Sequence, residues 1–221
     1  MWTEQHLLLN MYPELERNLR DLSIGALKLT ADRETSLALI ATWMKEKRAR
    51  KLPVHLVFIC THNSRRSQFA HAWASAATLH QGMHGVHVWS AGTEATEVAP
   101  PVIEALKAAG FRMEGAGDHD IEGNLSRTEY LANMDLDVGP VLLYSKTINE
   151  PDNPTADFAA IMVCSDAEQN CPFVPGASAR FSLPYTDPKA SDGTPDEART
   201  YRMRSEEIGS EMVRLMLLAS A

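Results

Sequence analysis

The sequence predicts an α/β fold: a parallel sheet of about four strands with helices on both faces, preceded by a helical extension. Three observations carry this reading. From Pro53 onward, short runs rich in β-branched and aromatic residues alternate with helix-compatible stretches, as strand–helix–strand units do. Residues 1 to about 51 differ in character, with apolar residues recurring at roughly helical spacing. The length of 221 residues suits one α/β domain with an appendage.

Taken in order, Leu7, Leu8 and Leu9, then Leu15, Leu19 and Leu22, suggest a first helix. Thr30-Ala31-Asp32-Arg33 reads as a connection and N-cap, and Glu34 to Arg50 as a second helix carrying Leu37, Leu39, Ile40, Trp43 and Met44. Its basic end, Lys45 to Lys51, suits the helix dipole and is read as a solvated terminus. Pro53 marks the boundary between an extension of residues 1–52 and a main domain of 53–221. A strand follows over Val54–Ile59, then a helix from about Arg66 to Leu79 with Phe69, Ala70, Trp73 and Ala77 on one stripe. Val86–Gly92 is a second strand ending in a turn. Pro100–Lys107 is a helix with proline in its first turn, ending near Gly110. Val141–Tyr144 and Ala159–Cys164 are further strands, Phe181–Pro184 a short last one, and Glu197–Leu218 a closing helix. Between Gly115 and Pro154 polar, Gly- and Asp-bearing stretches suggest a loop-rich insertion around one strand.

Composition excludes several classes. Hydrophobic residues make up 44% and charged residues 23%, ordinary for a globular chain. A formal net charge of −8 argues against general nucleic-acid binding. No apolar run is long enough to span a membrane. Glu4, His6, Glu14 and Glu16 make the N-terminus unlike a signal peptide. Three cysteines form an odd, sparse set, which points to a reducing cytoplasm and to reactive rather than stapling thiols.

The first reactive candidate is Cys60, in Val57-Phe58-Ile59-Cys60-Thr61-His62-Asn63-Ser64-Arg65-Arg66-Ser67. A thiol at the end of a strand faces a loop and a helix N-terminus, whose N–H groups form a nest for a tetrahedral oxyanion. The same surroundings favour a thiolate. Arg66 adds a planar fork of donors that suits phosphate or arsenate. The alternative is an inert core cysteine. The strand before and the helix after favour the nest.

Cys164 and Cys171 form the second candidate. Cys164 ends a strand as Cys60 does, and the C-terminal ends of parallel strands share one ligand-binding edge. The spacing does not suit a zinc ribbon. Three convergent thiols suggest a disulfide relay, and two unrelated buried cysteines are the alternative. Asp187, in Asp187-Pro188, is a candidate proton donor to a leaving oxygen, though Asp-Pro is also a turn opener.

Together Val57–Gln68, Ser90-Ala91-Gly92-Thr93, the Cys164–Pro172 segment and Asp187-Pro188 resemble the low-molecular-weight tyrosine phosphatase superfamily, and more narrowly its thioredoxin-coupled arsenate reductases. The resemblance covers Pro53 to the C-terminus apart from the insertion, and it implies that superfamily's fold. It implies that Cys60 attacks arsenic while the loop of Thr61, His62, Asn63, Ser64 and Arg65, with Arg66, holds the oxygens. Ser67 hydrogen-bonds the thiolate, and Asp187 protonates the leaving oxygen. Cys164 attacks Cys60, Cys171 attacks Cys164, and thioredoxin reduces the resulting disulfide. No tightly bound cofactor or metal is implied. Arg65 stands where many members carry a second cysteine, and His71 where potassium-binding members carry an acid. The competing readings are a phosphatase acting through phosphocysteine, and a non-catalytic redox sensor or phosphate-binding module.

Overall fold

The computed structural model describes residues 10–24, 29–121, 125–170 and 173–221. Helix α1 spans Pro13–Ser23 and α2 spans Ala31–Ala49. Then come β1 (Val54–Cys60), α3 (Arg66–His80), β2 (Val86–Gly92) and α4 (Pro100–Ala108). Strands β3 (Arg112–Ile121), β4 (Leu125–Asn133), β5 (Val141–Leu143) and β6 (Phe158–Met162) follow. The chain ends with α5 (Ser165–Asn170), β7 (Ala177–Ser182), a 3-10 turn (Pro188–Ser191) and α6 (Glu197–Ser220).

The main sheet has the order β2-β1-β6-β7, every neighbouring pair parallel. From β1 the chain crosses through α3 to β2 on one side, whereas from β6 it crosses through α5 to β7 on the other. Right-handed crossovers in opposite directions put α3 and α5 on opposite faces. They also separate the loops after β1 and β6, which opens a crevice at the carboxyl ends of those two strands. The two central strands are the most apolar: β6 is buried throughout, and every β1 residue except His55 is buried.

The expected four-strand parallel sheet is present, and the strand expected at Val141–Tyr144 lies outside it. Val141–Leu143 pairs antiparallel with β4, not with the parallel sheet. The fourth parallel strand is β7, of which the sequence reading found only the end. The insertion is likewise more ordered than expected, since β3 and β4 form a long antiparallel hairpin with a register shift between Gly115 and Gly117. Its residues are polar and include two glycines, so neither apolar run marks it as strand.

The extension packs into the same core. Leu15 and Leu19 of α1 and Leu37, Ile40 and Met44 of α2 are fully buried, each worth about 1.5–3 kcal/mol. Thr30 caps α2 by accepting from the Arg33 N–H at 3.3 Å. Leu7, Leu8 and Leu9 lie outside the described residues. The basic end of α2 is not simply solvated: Lys47 is buried and pairs with Asp157, and Arg48 Nη1 donates to the Ala219 carbonyl at 2.8 Å. The latter satisfies a carbonyl at the end of α6, where the helix has no partner of its own. Against α3, α6 comes very close at Gly209, where a Cβ would sit 2.8 Å from the Trp73 ring. The same indole donates to Ser205 at 2.9 Å.

His71 is buried on α3, hydrogen-bonded to the Val88 backbone. Burial, aided by the Lys146 charge, pushes its pKa down to about 3. The folded protein therefore keeps His71 neutral where the unfolded chain takes up a proton near the ordinary histidine value of about 6.5. Between these two values the unfolded state binds more protons, so this contribution to stability falls as pH falls. Urea titrations are expected to show up to about 1.4 kcal/mol per pH unit lost from this group below about pH 6.5. In His71→Gln that component should vanish. Parallel acid profiles for the two proteins would contradict it.

Candidate active site

Cys60 closes β1, and the loop from Thr61 to Arg65 turns directly into α3. Each carbonyl of the loop's first half is tied outward. Cys60 O accepts from Thr93 N at 3.2 Å and Thr61 O from Glu94 N at 2.8 Å. His62 O accepts from the Ser145 hydroxyl at 2.9 Å, Asn63 O from Gln68 Nε2 at 2.8 Å, and Ser64 O from Ala99 N at 3.1 Å. With the oxygens committed outward, the N–H groups are left to the inside. Among the described residues no backbone N–H from Thr61 to Gln68 donates to a protein acceptor. That is the donor array a tetrahedral anion needs at a helix N-terminus.

Asn63 holds the bend, with a left-handed φ of 46° that asparagine tolerates better than most residues. Its side chain is fully buried, accepting from Lys146 N at 3.0 Å and donating to Ser67 Oγ at 2.7 Å. Ser67 Oγ, which accepts from Asn63, lies 3.1 Å from Cys60 Sγ, and either atom of that pair can donate. A thiolate at Cys60 would accept the Ser67 hydroxyl proton.

Arg66 is nearly buried. The expected two-pronged grip on an anion is partly committed to protein here. Nη2 pairs with Asp187 Oδ2 at 2.6 Å, and Nη1 donates to Tyr185 O at 3.2 Å. The remaining donor, Nε, is buried with no protein partner. Asp187 therefore does stand beside the loop. Its second oxygen accepts from Lys189 N at 3.0 Å and caps the 3-10 turn, so the turn-opening role and the site position coexist.

Arg65 offers the loop its backbone N–H. Its side chain leaves the loop, donating to Tyr201 Oη and Asp192 Oδ2, each at 2.6 Å. Tyr201 in turn donates to Asp192 at 2.6 Å. Burial and the Asp192 bond push the Tyr201 pKa well above the usual tyrosine value, so it serves as a neutral donor. Only the Arg65 backbone N–H remains available to the nest. His62 is also turned outward, 3.5 Å from Glu94.

Cys164 lies just beyond β6, and the register β1–β6 puts it on the same edge as Cys60. It is fully buried, with no disulfide partner among the described residues. Its sulfur lies 3.5 Å from Thr61 Oγ1, on the residue next to Cys60, and accepts the Ala167 N–H at 3.3 Å. Cys171 lies outside the described residues. Gln68, Ser145, Tyr201 and Asp192 are contributors that sequence reasoning missed. They act by hydrogen-bonding distant backbone and side chains, which local spacing does not reveal.

Gly92 is where the outward ties come closest. A Cβ there would lie 2.3 Å from Glu94 O, 2.7 Å from Thr61 O and 2.8 Å from Asn63 N, all backbone atoms. Gly92→Ala must therefore push the loop out of register. Inorganic phosphate at a hundred times its Kd is expected to stabilise the wild type by about 2.7 kcal/mol in thermal unfolding, and Gly92→Ala far less. Equal stabilisation of both would show that the loop tolerates the Cβ.

Comparison with known proteins follows this geometry. Residues 55–138 match the family described as low molecular weight phosphotyrosine protein phosphatase. An arsenate reductase of Bacillus licheniformis is 29% identical over 160 residues, covering 72% of this chain and 92% of that protein. One of Bacillus subtilis is 27% identical over 158 residues, covering 71% and 91%. Among solved structures, a low molecular weight protein tyrosine phosphatase from T. tengcongensis aligns with a TM-score of 0.50 at 20% identity, covering 74% of this chain and 98% of that one. Family match, curated relatives and fold agree: the chain is an enzyme that resembles the low-molecular-weight tyrosine phosphatase superfamily and, among its curated relatives, the arsenate reductases.

Proposed function

We propose that the protein reduces arsenate to arsenite by a relay through Cys60, Cys164 and Cys171. The observation that carries this reading is the second buried thiol, Cys164, placed 3.5 Å from the hydroxyl of the residue after Cys60. Hydrolysis of a phosphate ester needs no such thiol. The curated relatives bearing the name arsenate reductase add support.

In this reading arsenate enters the nest of N–H groups, and its charge draws the Arg66 guanidinium, whose free Nε is a ready donor. Arg66 then loosens its hold on Asp187, which takes up a proton and serves as the acid. The Cys60 thiolate attacks arsenic, and the departing oxygen leaves as water with the proton from Asp187. The Cys164 thiolate attacks Cys60 Sγ. The sulfur–arsenic bond breaks with its electron pair going to arsenic, and arsenite leaves. Cys171 attacks Cys164, freeing Cys60 and leaving a Cys164–Cys171 disulfide. A dithiol protein of the thioredoxin kind, the proposed electron donor, returns both thiols to the reduced state. The setting proposed is the cytoplasm. No helix among the described residues is long and apolar enough to cross a membrane.

A second reading has its own support, because Cys60, Arg66 and Asp187 are a complete set for phosphomonoester hydrolysis. The two are separated by assaying the purified protein side by side with arsenate plus a thioredoxin system and with aryl phosphates. Steady arsenite production, exceeding ester hydrolysis, is expected. Hydrolysis with no arsenite would replace the reductase reading by the phosphatase one. Cys60→Ser should abolish both activities. Asp187→Asn should slow an ester with a poor leaving group by about 10²–10⁴-fold and spare an activated one. Equal losses would reduce Asp187 to a turn residue.

A further inference from the structure

We infer that the N-terminal extension takes part in the chemistry through Arg33, a positioning residue for the strand-end segment that carries Asp187. The inference rests on the reading of Asp187 as the acid. Arg33 lies in the first turn of α2, fixed there by the Thr30 cap. Its Nε donates to Glu211 Oε1 of α6 at 2.8 Å, and its Nη2 pairs with Glu211 Oε2. Nη1 donates to the Pro184 carbonyl at 2.9 Å. The guanidinium centre lies 4.6 Å from the centroid of the Tyr185 ring. Tyr185 closes the figure by donating to Glu211 Oε2 at 2.6 Å.

This cluster holds the two residues that lead into Thr186 and Asp187. The backbone of Tyr185 faces the site from the other side: its carbonyl accepts Arg66 Nη1, and its N–H donates to Val163 O at 3.1 Å. The segment is therefore clamped by three arginines. Arg33 grips Pro184 and Tyr185, Arg66 grips Tyr185 and Asp187, and Arg65 grips Asp192 beyond the 3-10 turn. Of the three, only the Arg66 side chain also faces the nest, with a free Nε, and responds to its occupant. Arg33 belongs to the extension and does not touch the nest. It is the clamp that stays fixed when an anion draws Arg66 away, so it keeps Asp187 within reach. Glu211 is 2% exposed, and an ion pair in such surroundings is costly to break from one side. Within the extension, α2 is anchored to α6 at both ends, by Arg33 at one and Arg48 at the other. It is a strut, not a lid.

The test compares wild type, Asp187→Asn, Arg33→Ala and the double variant Arg33→Ala/Glu211→Gln. The double variant removes the charge that a single substitution would leave buried. Each is assayed on phenyl phosphate, a poor leaving group, and p-nitrophenyl phosphate, a good one. Amide exchange at Tyr185 and Lys189 is measured alongside. Loss of the strut is expected to lower kcat on phenyl phosphate by about tenfold to a hundredfold. The p-nitrophenyl ester and both KM values should change by less than about threefold. Exchange at Lys189 should quicken, since its N–H bonds to Asp187. Equal losses on both esters, or no loss on either, would overturn the inference where Asp187→Asn shows the leaving-group dependence. If Asp187→Asn shows none, or neither ester is turned over, the acid reading has failed by itself. The exchange then decides the strut: unaltered protection of Lys189 in the double variant overturns it.

Discussion

Everything at the site depends on the outward commitment of five consecutive carbonyls, from Cys60 to Ser64. A short loop between a strand and a helix has as many backbone acceptors as donors, and an anion is repelled by the former. The structure removes that conflict with partners from elsewhere: Thr93, Glu94, Ser145, Gln68 and Ala99 take the oxygens. The segment Gly92–Glu94 must lie almost against the loop to do so, and only a residue without a Cβ fits. Ser145 arrives from beyond β5, at the end of the insertion, so the antiparallel sheet is part of the scaffold of the loop. The left-handed Asn63 then couples this backbone arrangement to the thiol through Ser67.

A second constraint comes from topology. Strands β1 and β6 are neighbours whose continuations leave in opposite directions, so their ends share a crevice without a crossing chain. That places Cys60 and Cys164 on one edge, although 103 residues separate Cys164 from Thr61. The acid-bearing segment after β7 reaches the same edge and is held there by arginines from the loop and from the extension. Binding energy spent at Arg66 thus bears on both the anion and the acid, while the Arg33 cluster is independent of the anion. In the proposed mechanism this division lets Asp187 be released as proton donor without being lost.

Much of this was legible in the sequence because its signals are local. The apolar runs of β1, β2 and β6, the cap at Thr30 and the C-x5-R-S loop each follow from residues within a dozen positions. The β3–β4 hairpin was not legible, because its sequence carries few apolar residues and its glycines read as loop. The start of β7 was missed for the same reason, since Ala177-Ser178-Ala179 has no strand signature. The partners of the Arg65 side chain were not legible, because a cation beside an anion loop invites the simplest pairing. Its true partners, Asp192 and Tyr201, lie more than a hundred residues on, roughly 127 and 136 positions away. The Arg33–Glu211 pair spans 178 positions and is invisible to any local pattern.

The central claim is that Cys60 and Cys164 are partners in one redox event. It is tested most directly in a Cys171→Ser protein given one equivalent of arsenate, with disulfides trapped by alkylation and mapped by mass spectrometry. Without its outlet the relay should stop after a single turnover, with one arsenite released and Cys60 joined to Cys164. Arsenite without that disulfide, or an unreacted protein whose ester hydrolysis is intact, would contradict the account.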